Sequence, residues 1–159
     1  MDASRPTPSG PRSSIPLPDG LTLEAPAPGI RIAQPRRGYR YSVDAFWLAG
    51  FALEHVKSGT ALDLCTGSGI VAHLLASAGL TTTGIDVQPA WADIWAHSHV
   101  ERSASLAIAD ARSFQGAFDL VTCNPPFFPA GRGPVSPDPL RAAAHTELNG
   151  TLVALHQAA

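Results

Sequence analysis

From Ala61 onward, short apolar runs alternate with longer stretches in which apolar residues recur at helical spacing. Ala61–Cys65, Thr81–Val87, Ser105–Ala109 and Phe118–Cys123 are strand candidates, each closed by a polar or turn-forming residue. Gly67-Ser68-Gly69 opens a helix ending near Gly79, and Pro89, preset for a first helical turn, opens another to about His99. Strands alternating with helices predict an α/β fold with a parallel sheet. Such sheets bind ligands beyond the carboxyl ends of their strands, at the switch in strand order. Upstream, Leu21–Glu24 and Ile30–Gln34 read as short strands around Pro26, Pro28 and Gly29. Ser42 is the expected N-cap of a helix over Val43–Lys57, in which Phe46, Ala49, Leu53 and Val56 share a face. Residues 1–20, rich in Pro, Ser and Arg, are expected to form a disordered tail, with one domain over 21–159. Phe128–Pro139, rich in Pro and Gly, reads as a loop, followed by a helix from about Thr151.

Composition narrows the possibilities. The length of 159 residues suits one domain, and 45% hydrophobic residues suit a packed core. A net charge of −2 supplies no general basic field, so any nucleic acid has to be met by a local patch. Arg36, Arg37, Arg40, Arg132 and Arg141 are the candidates for phosphate contacts, set against an ordinary solvated surface. No apolar run approaches a membrane span, and prolines interrupt the N-terminus where a signal peptide needs an apolar core. The expected location is cytoplasmic, with Cys65 and Cys123 reduced. His97 and His99 do not share a helix face and there is no Cys-x-x-Cys pair, so no metal site is expected. Trp91 and Trp95, four apart, are expected to pack rather than to stack a base.

The chemistry gathers at strand ends. Glycines at 67 and 69 allow a tight turn and close approach of a ligand, and the helix behind them offers unpaired N–H groups. Asp86 closes the next strand, where a carboxylate can accept from both hydroxyls of a ribose. Asp110 closes the third, where it could accept from an adenine amino group. Gly67, Gly69 and Ala72 also satisfy the dinucleotide fingerprint, so spacing leaves a nucleoside-binding methyltransferase and a nicotinamide enzyme equally open.

Asn124-Pro125-Pro126-Phe127 decides between them. It follows the fourth strand directly, at the same end of the sheet. The prolines fix the backbone, so the Asn124 side chain and the Pro125 carbonyl take set directions. Both can accept from one planar –NH2 group, and Phe127 can stack on its ring. The nitrogen can lose its proton after attacking a sulfonium methyl, so no strong base is needed and orientation supplies most of the catalysis.

Leu62-Asp63-Leu64-Cys65-Thr66-Gly67-Ser68-Gly69 resembles the first motif of the class I S-adenosylmethionine-dependent methyltransferases. Phe118–Phe127 resembles their amino-methylating fourth motif, and Gln34–Ala45 resembles the leading segment of the bacterial tRNA adenine-N6 methyltransferases. The resemblance implies a Rossmann-like fold and S-adenosylmethionine as cofactor. By position, Tyr39, Arg40 and Asp44 would line the cofactor's methionine end, Gly67 and Gly69 would contact its backbone, Asp86 its ribose and Asp110 its adenine, with Asp63 of the first motif also among the cofactor-binding residues. Asn124, Pro125, Pro126 and Phe127 would hold the target amine. Cys65 stands where many relatives have glycine. The first substrate it implies is adenine N6 of tRNA; guanine N2 of ribosomal RNA and glutamine N5 of a protein factor use the same tetrapeptide. An inactive cofactor-binding fragment is the alternative of another class. The family's strand order, 3-2-1-4-5-7-6, would put the two cysteines side by side, and the sequence holds only the first four of those strands. The expectation is therefore a sheet open beyond its fourth strand, prone to self-association there.

Overall fold

The computed structural model describes residues 16–126 and 136–145. β1 (Leu21–Ala27) and β2 (Ile30–Pro35) form an antiparallel hairpin running from Leu21↔Pro35 to Ala27↔Ile30. Gly29 turns it at φ 73°. α1 (Val43–His55) follows, then β3 (Thr60–Leu64), α2 (Ile70–Ser77), β4 (Thr81–Asp86) and α3 (Ala90–Trp95). β5 (His99–Val100), β6 (Ser105–Ile108), β7 (Leu120–Cys123) and α4 (Pro139–His145) complete the described elements. The main sheet runs β6-β4-β3-β7 with every neighbouring pair parallel. That is the expected third-second-first-fourth order of the four central strands.

Alternation along β3 sorts the core. Ala61 faces α1 and α2, where Ile30, Ile32, Ala45, Ala49, Val71 and Leu75 close one cluster. Leu62 and Leu64 face the other way, onto Ile85, Phe114, Phe118 and Val121. Ala33, Trp91 and Ile94 form a third cluster between the hairpin and α3. Asp119 pins the start of the β3–β7 pairing, accepting from the Thr60 backbone N–H at 2.7 Å and its hydroxyl at 2.9 Å.

Three elements differ from expectation. The helix opened at Pro89 stops at Trp95 rather than near His99. The chain tightens into three-residue turns, His97 N–H to Ile94 and Ser98 N–H to Trp95. The Ser98 hydroxyl then takes the Ala33 N–H at 2.9 Å, which draws His99 and Val100 onto β2 as a third strand. Pro139, placed in a loop, is the first residue of α4, a position that tolerates its missing N–H. Ser42 does occupy the N-cap of α1 in extended backbone, but its hydroxyl donates to the Asp44 carboxylate instead of capping the helix. The expected tail at 1–15, Phe127 with the loop to 135, and the helix from Thr151 lie outside the described residues. Among the described residues no helix is long and apolar enough to cross a membrane, and no cluster of three metal-ligating side chains occurs.

Candidate functional site

The carboxyl ends of β3, β4, β6 and β7 meet at one cavity, walled by Tyr39, Gly67, Asp86, Asp110, Asn124 and Pro126 among others. Those six come from the predicted set, far apart in sequence and brought together by the parallel register. The loop after β3 is wound tightly, with Cys65 at φ 55°, Gly67 at 54° and Gly69 at 80°. This left-handed backbone suits glycine and strains a residue with a Cβ, so Cys65 keeps a conformation it does not favour. Trp95 holds the loop from outside. Its indole N–H donates to the Gly67 carbonyl at 2.8 Å, and a Cβ on Gly69 would lie 2.2 Å from its ring.

Asp86 ties loop and strand together. One carboxylate oxygen accepts the Gly67 N–H at 3.0 Å and the other the Gln88 N–H at 2.9 Å. Each oxygen keeps a lone pair for a ligand hydroxyl. Burial pushes its pKa up, against these two N–H groups. Asp63 lies behind the loop, 1% exposed, accepting from the Thr66 hydroxyl at 2.6 Å and the Thr122 hydroxyl at 2.8 Å. Burial pushes its pKa up to about 6. Its role here is to brace the loop against β7. Asp110 borders the cavity with its carboxylate paired to Arg112, which holds its pKa down to about 2.

The leading segment is set by Gln34, which is fully buried. Its amide donates to Glu24 at 3.0 Å and accepts the Tyr41 N–H at 2.9 Å, fixing the chain that carries Tyr39 into the cavity wall. Burial, then the nearby Asp44, Asp63 and Asp86 carboxylates, raise the Tyr39 pKa. Arg40 is absent from the cavity wall and its guanidinium pairs with Glu24. Asp44 reaches the tetrapeptide: the Asn124 amide nitrogen donates to its carboxylate at 3.3 Å. Because the Asp44 pKa is lowered, chiefly by the Ser42 hydroxyl, this carboxylate is an acceptor only. The contact therefore commits the Asn124 nitrogen and leaves its oxygen as the acceptor for another group.

No protein-family model matches the chain. It is 36% identical over 89 residues to the release factor glutamine methyltransferase of Rhodospirillum rubrum, covering 52% of this chain and 27% of that protein. To the enzyme of the same name from Bifidobacterium longum it is 28% identical over 149 residues, 79% of this chain and 49% of that one. The chain thus spans between about a quarter and a half of the curated relatives it matches. Among solved structures it resembles the Pyrococcus abyssi tRNA (uracil-54, C5)-methyltransferase in complex with S-adenosyl-L-homocysteine. The TM-score is 0.53 at 21% identity, over 65% of this chain and 27% of that one.

The fold is the Rossmann-like methyltransferase fold. Within it, the sequence identified the strand-end residues but passed over what supports them. Trp91 and Trp95 do pack, as expected, yet Trp91 also walls the cavity and Trp95 grips Gly67. Their spacing of four on a helix directly after Asp86 was the available signal. Thr122 and Thr66, the partners of Asp63, carried none, since a threonine in a strand or in a turn is ordinary.

Proposed function

We propose that this chain binds S-adenosylmethionine in the cavity beyond β3 and β4 and takes part in methylating a planar exocyclic nitrogen. The observation that carries the reading is the orientation of Asn124. With its nitrogen on Asp44, its oxygen is left to accept from a target –NH2 beside the cofactor cavity. The residues present fit the cofactor: a buried carboxylate at Asp86 for vicinal hydroxyls and left-handed glycines where a ligand must approach backbone. The cavity itself encloses about 70 Å³, below the roughly 300–1,000 Å³ of small-molecule sites. α4 supplies Ala143 to its wall, and Leu140 of the same helix packs on the cluster of Ala33, Trp91 and Ile94.

The cofactor supplies an electrophilic methyl on a sulfonium. Asn124 and the Pro125 carbonyl hold both protons of the amine, directing the nitrogen lone pair at that methyl. With the cofactor bound, its methyl would be the group transferred, and Asn124 and the Pro125 carbonyl would keep the target nitrogen oriented until its spare proton passes to water. Adenine N6 of tRNA is the favoured substrate, supported by the resemblance of Gln34–Ala45. Glutamine N5 of a protein is the second reading, supported by the names of the two curated relatives. The cytoplasm is the proposed location. Self-association is proposed at β7, which among the described residues pairs on one side only.

Calorimetry with S-adenosylhomocysteine and with NAD tests the cofactor: binding of NAD alone would overturn it. Transfer of labelled methyl to bulk tRNA and to an intact release factor separates the substrates, and labelled release factor with unlabelled tRNA would replace the first by the second. Sedimentation over a wide concentration range checks the edge, where a persistent monomer would refute self-association.

A further inference from the structure

β3 and β7 each run into a cysteine beside the cavity, and the reaction proposed above uses neither thiol. Leu64 stands opposite Cys123 in the parallel register, so Cys65 is the next residue along the neighbouring strand. Adjacent strands lie about 4.8 Å apart, and a disulfide joins Cα atoms about 4.4–6.8 Å apart. Both thiols are free and half-buried, and they share a cluster with Leu64 and Val121. Cys65 and Cys123 pack on the same side of the sheet ends, in the cluster built on Leu62, Leu64 and Ile85. The placement is also consequential: Cys65 precedes Thr66-Gly67, and Cys123 precedes Asn124.

We propose that Cys65 and Cys123 form a dithiol modification site that a low-molecular-weight disulfide, of the glutathione disulfide class, converts to an intramolecular disulfide. Cys123 takes up the oxidant and Cys65, its proton held by the neighbouring Cys123 and by burial, resolves the adduct. The Cys123 thiolate attacks one sulfur of the oxidant, forming a mixed disulfide and expelling one small thiolate. The Cys65 thiolate then attacks the Cys123 sulfur and expels the second. The protein loses two protons and two electrons, and the oxidant leaves as two thiols. Closing the sulfurs to about 2.05 Å turns the Cys65 side chain, which walls the cavity, toward Cys123 and fixes the backbone next to the glycine loop and Asn124. Oxidation therefore alters the cofactor cavity at its Cys65 wall, a consequence that rests on the proposed function.

The test is to incubate the full chain with glutathione disulfide, alkylate it in denaturant and measure its intact mass. The expected product is a monomeric chain lighter by two hydrogens with no alkylated thiol, while Cys65→Ser stops as a glutathione adduct on Cys123. Two stable adducts, a disulfide between two chains, or two alkylated thiols under conditions that oxidise a urea-unfolded control would each overturn the site. S-adenosylhomocysteine is then titrated into reduced, oxidised and re-reduced chain. The expected result is at least tenfold weaker binding after oxidation, restored by reduction. Equal binding in both states would refute the coupling. A reduced chain that binds nothing would instead remove the proposed function, leaving the mass result to stand or fall by itself.

Discussion

At the scale of single residues, the site is built from side chains with one hand on the protein and one free. Asn124 spends its nitrogen on Asp44 and keeps its oxygen. Replacing it with alanine removes an acceptor aimed at the reacting nitrogen while leaving Asp44 to the Ser42 hydroxyl. Asn124→Ala should lower methyl transfer by about 100-fold or more, the order seen when one oriented polar group is lost from an active site. Its affinity for S-adenosylhomocysteine should change little. Near-normal turnover would show that another group holds the amine. Asp86 spends one lone pair of each oxygen on Gly67 and Gln88. Asp86→Asn keeps one acceptor but turns the other into a donor facing an N–H. The loss of charged hydrogen bonds, about 1.5–3 kcal/mol each, predicts roughly tenfold or greater weakening of S-adenosylhomocysteine, with a lowered melting temperature as the loop loosens. Calorimetry with unchanged affinity would remove the ribose role.

Elements decide which of these residues meet, and here sequence reading succeeded and failed for identifiable reasons. β3, β4, β6 and β7 were legible because each is a short apolar run ended by a polar residue, and a parallel sheet leaves few ways to order them. The strand-end residues Gly67, Asp86, Asp110 and Asn124 followed. β5 was not legible: His99 and Val100 have no strand pattern, and what makes them a strand is the Ser98 hydroxyl meeting the Ala33 N–H, a contact between residues far apart in the chain. α4 was hidden because Pro139 reads as a breaker until Asp138 accepts the Ala142 N–H and shows it to be a helix start. Arg40 was placed by resemblance, and the Glu24 it pairs with lies on a strand whose register the sequence does not announce. The glycines separate loop constraint from simple helix propensity. Gly50, exposed within α1, has nothing within 4 Å of an added Cβ, so Gly50→Ala should stabilise by about 0.5–1 kcal/mol. Gly69 combines φ 80° with a Cβ position 2.2 Å from Trp95, so Gly69→Ala should destabilise by at least about 2 kcal/mol and release the indole from Gly67. Urea unfolding of both variants checks the pair, and a tolerated Gly69→Ala would show that Trp95 is free to move.

For the whole molecule, two buried groups, one before and one after the glycine loop in the chain, pull stability in opposite directions with pH. Asp63 titrates at about 6 in the folded chain, above its ordinary 3.8, because burial disfavours its charge. His73 titrates at about 4, below its ordinary 6.5, for the same reason. It is 2% exposed, with Nδ1 accepting the Ala104 N–H and its ring against Trp95. Between about pH 4 and 6 the folded Asp63 still holds a proton that the unfolded chain has released, so its contribution to stability is present at low pH and lost as pH rises. Over the same window the unfolded His73 holds a proton that the folded chain excludes, so its contribution is present at high pH and lost as pH falls. Each shift of about two pH units corresponds to roughly 3 kcal/mol, and in the native sequence the two trends offset. Asp63→Asn removes the first and leaves the second. The Thr66 and Thr122 hydroxyls can each turn to donate or accept, so the amide can be accommodated. The variant should match or fall below the native chain at pH 4 and exceed it by up to about 3 kcal/mol at pH 7, with the difference opening between pH 4 and 6. The exposed and partly exposed carboxylates with lowered pKa, Asp44, Asp110 and Asp119, titrate alike in both chains, so the difference reports Asp63 together with its repulsion of the buried Asp86. Urea unfolding of both chains at half-unit pH intervals measures it. A stability difference that does not vary with pH would mean that Asp63 is ionised throughout, and that the brace between the glycine loop and β7 is a charged one.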